Sequence, residues 1–172
     1  MNIASNELIS VLHAERPAAD RADKLQLYGR FIGDWETKII AHDPDGARHE
    51  GSGEIHLGWI LEGRAIQDVW MIPRLAERPT GNWFGTTIRV YDPTIDAWRI
   101  YWIDPARNVF RQQIGRQRGD DIVQEGNTET GELSRWSFTR IKANSFHWLG
   151  ESSASGDAWQ LVVEVLAQRK AA

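Results

Sequence analysis

The sequence predicts an all-β protein in which about ten antiparallel strands close into an up-and-down barrel, with short N-terminal helices capping one end. Three observations carry this reading. From Phe31 onward, runs of about five to ten residues rich in β-branched and aromatic side chains are separated by Gly, Pro, Asp and Asn, and no helical period returns. The links between runs are short, so neighbours in sequence must be antiparallel neighbours in space. Such strands form a sandwich or close on themselves, and closure removes the exposed edges that promote aggregation.

Residues 1–30 form the helical lead and residues 31–172 the barrel, within one domain, because 172 residues hold one sizeable core and not two. Between Ser5 and Glu15, the residues Leu8, Ile9, Val11 and Leu12 fall at helical spacing, with Ser5 or Asn6 as N-cap and Pro17 as the stop. A second helix starts near Ala18 or Asp20, presents Leu25 and Tyr28, and ends at Gly29. Both apolar stripes need a partner, and an open barrel end offers one.

The expected strands are Trp35 to Ala41, Gly53 to Leu61, Arg64 to Ile72, Trp83 to Tyr91, Ala97 to Ile103, Val109 to Ile114, Asp121 to Gly126, Leu133 to Ile141, Phe146 to Ser152 and Ala158 to Gln168. Most links carry turn chemistry, such as Asp43-Pro44-Asp45-Gly46, Glu62-Gly63 and Arg118-Gly119-Asp120. Pro73 to Gly81 is longer and holds two prolines, which suits a rim or lid.

The hairpin Gly85 to Pro105 organises the rest, and it has two registers. A five-residue loop, Asp92 to Asp96, would set Arg89 opposite Arg99, and facing like charges destabilise a pair. A loop of Pro93 to Asp96 instead pairs Tyr91 with Trp98, Arg89 with Ile100 and Thr87 with Trp102. The second register is preferred, and it turns Arg89 and Tyr91 inward.

Composition excludes several function classes. The formal net charge of −4 and pI of about 5.7 lack the concentrated Lys and Arg of a nucleic-acid footprint. The absence of cysteine removes disulfides, thiolate nucleophiles and Cys-ligated zinc. The start, MNIASNELISVLHAERP, has an early Glu7, no basic n-region and no unbroken apolar run, so neither a signal peptide nor a membrane span is expected and the cytoplasm is the default location. Nine tryptophans are more than packing alone ordinarily uses, since each buries roughly 150–250 Å².

The junction Leu27-Tyr28-Gly29-Arg30-Phe31-Ile32-Gly33-Asp34-Trp35 resembles the Gly-x-Trp entry of the lipocalin-like (calycin) barrels, in which a short helix leads into the first strand. Arg169, just after the last strand, stands where such barrels place an Arg against that Trp, which implies a cation–π contact between Arg169 and Trp35. The layout is also similar to bacterial lipocalin-like domain families that have no assigned function. It departs from secreted lipocalins in lacking cysteines and a recognisable Thr-Asp-Tyr motif.

Candidate chemistry follows from alternation. Arg64, Ile66, Asp68 and Trp70 share one face, so an inward Arg89 has a nearby acid in Asp68; a buried Arg needs one. An Asp68–Arg89 pair with Tyr91 beside it would form the base of an aromatic cavity, and a structural salt bridge in a filled barrel is the competing reading. Trp98, Trp102, Trp136, Phe138, Phe146 and Trp148 alternate onto inner faces, as cavity wall or as ordinary core. Trp159, Leu161, Val163 and Val165 are read as core. Arg111, Arg116 and Arg118 are read as a solvated face.

His13, His42, His49, His56 and His147 make no metal-ligand spacing, so no metal site is expected, and no cofactor. The leading functional expectation is a binding protein for a small apolar or aromatic molecule with a polar group, held by Arg64, Trp70, Arg89, Tyr91, Trp98, Trp102, Trp136, Phe138 and Trp148. The alternative is an isomerase, cyclase or hydratase with Asp68 as general acid or base and Tyr91 as proton donor, which rests on fold analogy. A third is a haem- or gas-binding barrel ligated by His147 or His56. The partners this implies are the small ligand and at most a second copy of the chain, with no nucleic acid and no membrane.

Overall fold

The computed structural model describes residues 7–73 and 83–171. Helix α1 (Glu7–Leu12) leads to a two-residue strand β1 (His13–Ala14), a 3-10 turn (Ala19–Arg21) and helix α2 (Ala22–Gly29). Ten strands follow: β2 (Gly33–His42), β3 (Arg48–Ile60), β4 (Ala65–Ile72), β5 (Trp83–Asp92), β6 (Ala97–Asp104), β7 (Val109–Arg118), β8 (Asp121–Asn127), β9 (Leu133–Thr139), β10 (Ser145–Ser153) and β11 (Gln160–Arg169). Their order around the sheet is β3-β2-β11-β10-β9-β8-β7-β6-β5-β4, and β3 pairs again with β4, so the barrel is closed. All the neighbours are antiparallel.

Each expected strand is present, and the differences lie at their ends. β3 starts at Arg48 rather than Gly53 because β2 and β3 stay paired down to His42 and Arg48, where Asp43 N–H bonds Ala47 O at 2.9 Å. β7 runs to Arg118, paired with Asp121 across Gly119. β9 stops at Thr139, because the following Arg140 takes a left-handed φ of 48° that ends extended pairing. The span proposed as a lid, Pro73 to Gly81, lies beyond Pro73 outside the described residues.

The central hairpin adopts the preferred register: Tyr91 pairs with Trp98, Arg89 with Ile100, Thr87 with Trp102 and Val90 with Arg99. Arg99 stays on the outer surface and bonds Asp92 at 2.7 Å.

Only α2 plugs the barrel. Its Leu25 and Tyr28 are fully buried, and the following Phe31 and Trp35 continue into the core. α1 ends at Leu12 rather than near Glu15, because His13 and Ala14 turn to pair with Ile60 and Trp59 of β3. It buries none of its residues, so the expectation that both apolar stripes pack on the barrel holds for α2 alone.

The contact implied between Trp35 and Arg169 is present. The guanidinium lies 4.1 Å over the indole and donates to the carbonyls of Ile32, Arg30 and Ala143 at 2.6, 2.8 and 3.2 Å. Trp35 Nε1 donates to Phe31 O at 2.8 Å. The two ends of the barrel chain are therefore joined at one point, beside the plug.

Candidate functional site

The barrel interior is layered along its axis because inward side chains recur every second residue, roughly 7 Å apart along a strand. At the α2 end is an aromatic floor. Tyr28 packs edge-on to Trp98 and Phe138, Phe31 stacks on Phe138, and Phe146 meets both Phe31 and Trp35. Gly115 is required there, since a Cβ at that position would stand 2.4 Å from the Tyr28 hydroxyl. That hydroxyl has no hydrogen-bond partner among the described residues, and burial pushes its pKa well above the ordinary phenol value, against the opposing pull of Arg89.

Above the floor lies a polar layer. Arg89 donates from Nη1 to Asp68 Oδ2, and both side chains are 1% exposed. The other Asp68 oxygen accepts the Thr87 backbone N–H at 2.8 Å. Arg89 Nε donates to Gln124 Oε1 at 3.3 Å, Gln124 to Gln113 at 3.3 Å, and Gln113 to Ser134 Oγ at 3.4 Å. The guanidinium also sits 5.3 Å over the Tyr28 ring and 5.8 Å over Phe138. Arg89 thus carries its charge into the interior with a matched carboxylate, an amide chain and two ring faces as compensation.

The next layer is four indoles. Trp70, Trp102, Trp136 and Trp148 form a ring of edge and tilted contacts with centroids 5.2 to 6.4 Å apart. Gly85 admits one of them, since a Cβ there would lie 2.5 Å from the Trp102 ring. These indoles, with Thr87 and Arg89 below, wall a cavity of about 270 Å³ that opens at the end opposite α2. Its mouth carries Trp83, Arg107, Arg111, Glu132 and Glu151. Arg107 stacks 5.2 Å over Trp83 and Arg111 5.6 Å over Trp136. Glu151 is held by Arg135 at 2.8 and 3.0 Å.

The expected site residues are therefore divided among layers. Trp70, Arg89, Trp102, Trp136 and Trp148 line the cavity together. Phe138 and Trp98 belong to the floor beneath Arg89. Tyr91 lies one inward position beyond Arg89 on β5, at the α2 end, where its hydroxyl bonds Asp96 at 2.5 Å and Lys24 bonds the same carboxylate at 2.9 Å. Asp68 and Tyr91 are not brought together, and neither is part of the wall of this cavity. Arg64 is corrected outright: it precedes β4, is exposed, and bonds Asp20 at 3.0 Å. His56 faces outward to Asp34 at 2.6 Å and His147 to Glu164 at 2.8 Å, so neither reaches the cavity as a haem ligand.

Two further expectations change. Arg111 belongs to the cavity mouth rather than to a solvated face, whereas Arg118 does lie outside, bonded to Glu125. Trp159 precedes β11 and is half-buried beneath Arg135 at 4.0 Å, not core; the register shift at Gly150 and Glu151 displaces that end of the β10–β11 pair. The residues missed were Gln113 and Gln124 of the polar layer and Trp83 and Arg107 of the mouth. The alternation Arg111-Gln112-Gln113-Ile114-Gly115 against Ile122-Val123-Gln124 held the signal for the glutamines.

No family model matches the chain, and no curated protein matches it. Solved structures do. The crystal structure of Rv2717c from M. tuberculosis superposes with a TM-score of 0.61 at 16% identity, covering 87% of this chain and 99% of that one. The S-type phycobiliprotein lyase CPES from Guillardia theta gives a TM-score of 0.63 at 9% identity, covering 91% and 99%. The fold is lipocalin-like. At such low identity the likeness concerns backbone architecture, and the chemistry of this lipocalin-like barrel has to be read from its own side chains.

Proposed function

We propose that this lipocalin-like barrel binds a small, flat, largely apolar molecule bearing a polar group. The observation that carries the reading is the cavity of about 270 Å³ walled by Trp70, Trp102, Trp136 and Trp148 with Arg89 beneath them. An apolar chamber with few convergent polar groups is what orients a small ligand, and ring faces set edge-on leave slots for a planar one. The volume equals that of about nine waters, enough for a small ring system.

The four wall indoles make the test direct. Titrating a naphthalene-based probe should quench and shift intrinsic tryptophan emission with saturation at one equivalent. Trp136→Ala, which removes one wall, should weaken that binding at least about tenfold. An emission spectrum indifferent to every planar aromatic probe would overturn the reading.

Catalysis by Asp68 gains no support from the geometry, since both its oxygens are engaged and Tyr91 lies on the other side of Arg89. The backbone likeness to a phycobiliprotein lyase, at 9% identity, does not supply that support.

A further inference from the structure

The accessible surface inside the chamber is indole rather than polar. Asp68, Thr87, Arg89 and Gln113 are each 1% exposed and Gln124 is 0% exposed, and these groups bond one another. The indoles above them keep more surface open, with Trp102 8% and Trp136 9% exposed. A ligand carried into the chamber therefore meets ring carbon along its sides and little polar surface at its end. A hydroxyl, amide or carboxylate taken down there gives up water without gaining a partner, which is costly, whereas an apolar ring pays no such penalty. The part of the ligand that enters is accordingly apolar, and its polar group stays at the mouth.

The charges at the mouth narrow the class of that group. Glu151 is taken by Arg135 at 2.8 and 3.0 Å, and Arg111, stacked on Trp136, faces Glu129 at 3.5 Å. Arg107 has no carboxylate partner among the described residues; its guanidinium lies 5.2 Å over Trp83, which also lines the cavity. Glu132, likewise unpaired among the described residues, is the competing handle and would take a cation. Arg107 is favoured because it is held in advance from both ends. Trp83 carries its guanidinium, and the buried Asp104 carboxylate fixes its turn by accepting the Ala106 and Arg107 N–H groups at 3.1 and 3.2 Å. A cation ordered beforehand loses less freedom on pairing.

Building on the binding reading above, we propose that the ligand enters ring-first and leaves an anionic group, a carboxylate or its equivalent, on Arg107 at the mouth. Four probes test this by calorimetry on the intact protein at low salt: 2-naphthoate, the isosteric 2-naphthamide, 2-naphthylmethylammonium, and 6-hydroxy-2-naphthoate, which is polar at both ends. The carboxylate should bind at least about threefold more tightly than the amide, and the ammonium more weakly than either. 6-Hydroxy-2-naphthoate should bind at least about fivefold more weakly than 2-naphthoate, because its hydroxyl must go down among the indoles. High salt, or Arg107→Gln, should bring the ratio of carboxylate to amide affinity towards one. Equal binding of carboxylate and amide, tighter binding of the ammonium, undiminished binding of 6-hydroxy-2-naphthoate, or a preference that survives Arg107→Gln overturns the proposal while sparing the cavity as a ligand site. Absence of binding by all four overturns the binding reading itself, and the proposal with it.

Discussion

Arg89 and Asp68 form an ion pair inside the barrel at which both side chains are 1% exposed, between an aromatic floor and a cavity of four indoles. Removing one partner leaves an uncompensated charge that is almost wholly buried. Arg89→Met should therefore cost about 3–5 kcal/mol, whereas the double change Asp68→Leu with Arg89→Met should recover much of the loss. Guanidinium denaturation midpoints of the two single variants and the double variant form the test. A single variant as stable as the parent would show that the pair is not sealed.

Arg169 links the two ends of the barrel chain through three carbonyls and the Trp35 ring. Arg169→Ala should lower stability by about 2–4 kcal/mol, since bonds from a charged donor exceed neutral ones and the indole face loses its cation. Arg169→Lys should restore little of this, because one ammonium cannot span carbonyls that a planar fork reaches at once. Thermal melts of the three proteins decide it.

Glu164 sets a pH dependence. Partial burial would raise its carboxyl pKa, but hydrogen bonds from His42 at 3.0 Å and His147 at 2.8 Å outweigh this and hold it below the ordinary 4.5. A carboxyl with a depressed folded value contributes stability that is present above its unfolded value and lost as pH falls through the folded one. Stability should thus decline as pH drops below about 4.5, and Glu164→Gln should flatten that part of the profile. Urea midpoints measured from neutral pH downward provide the comparison.

Gly85 makes room for a cavity wall as well as for the neighbouring strand. Gly85→Ala would put a methyl 2.5 Å from the Trp102 ring and 2.6 Å from the Ile103 carbonyl, so both the indole and the adjoining strand must shift. Overpacking of this kind should cost about 1–3 kcal/mol. The same variant should lose naphthalene-probe quenching while its far-ultraviolet circular dichroism stays that of the parent. Retention of full probe affinity would mean that Trp102 does not bound the ligand.

Much of this architecture follows from local patterning. Alternation, short turns and the conflict between Arg89 and Arg99 suffice for the ten strands, the hairpin register and the inward orientation of Arg89. Gly33, Trp35 and Arg169, far apart in sequence, already mark the closure contact. These features are readable because a two-residue period assigns every side chain to one surface or the other.

Depth along the barrel axis is different, because no local period encodes it. Alternation places Tyr91, Arg89 and Thr87 on one inner face without stating which side of the polar layer each occupies; the stagger of ten closed strands decides that. Tyr91 and Trp98 consequently fall to the α2 end, Phe138 to the floor, and Arg64 beyond the barrel edge. Only the closed structure brings Trp70, Trp102, Trp136 and Trp148, carried by four different strands, around one cavity above the Asp68–Arg89 pair. The order of residues along the chain settles which side chains face inward; closure settles which of them meet, since it alone sets their height along the axis.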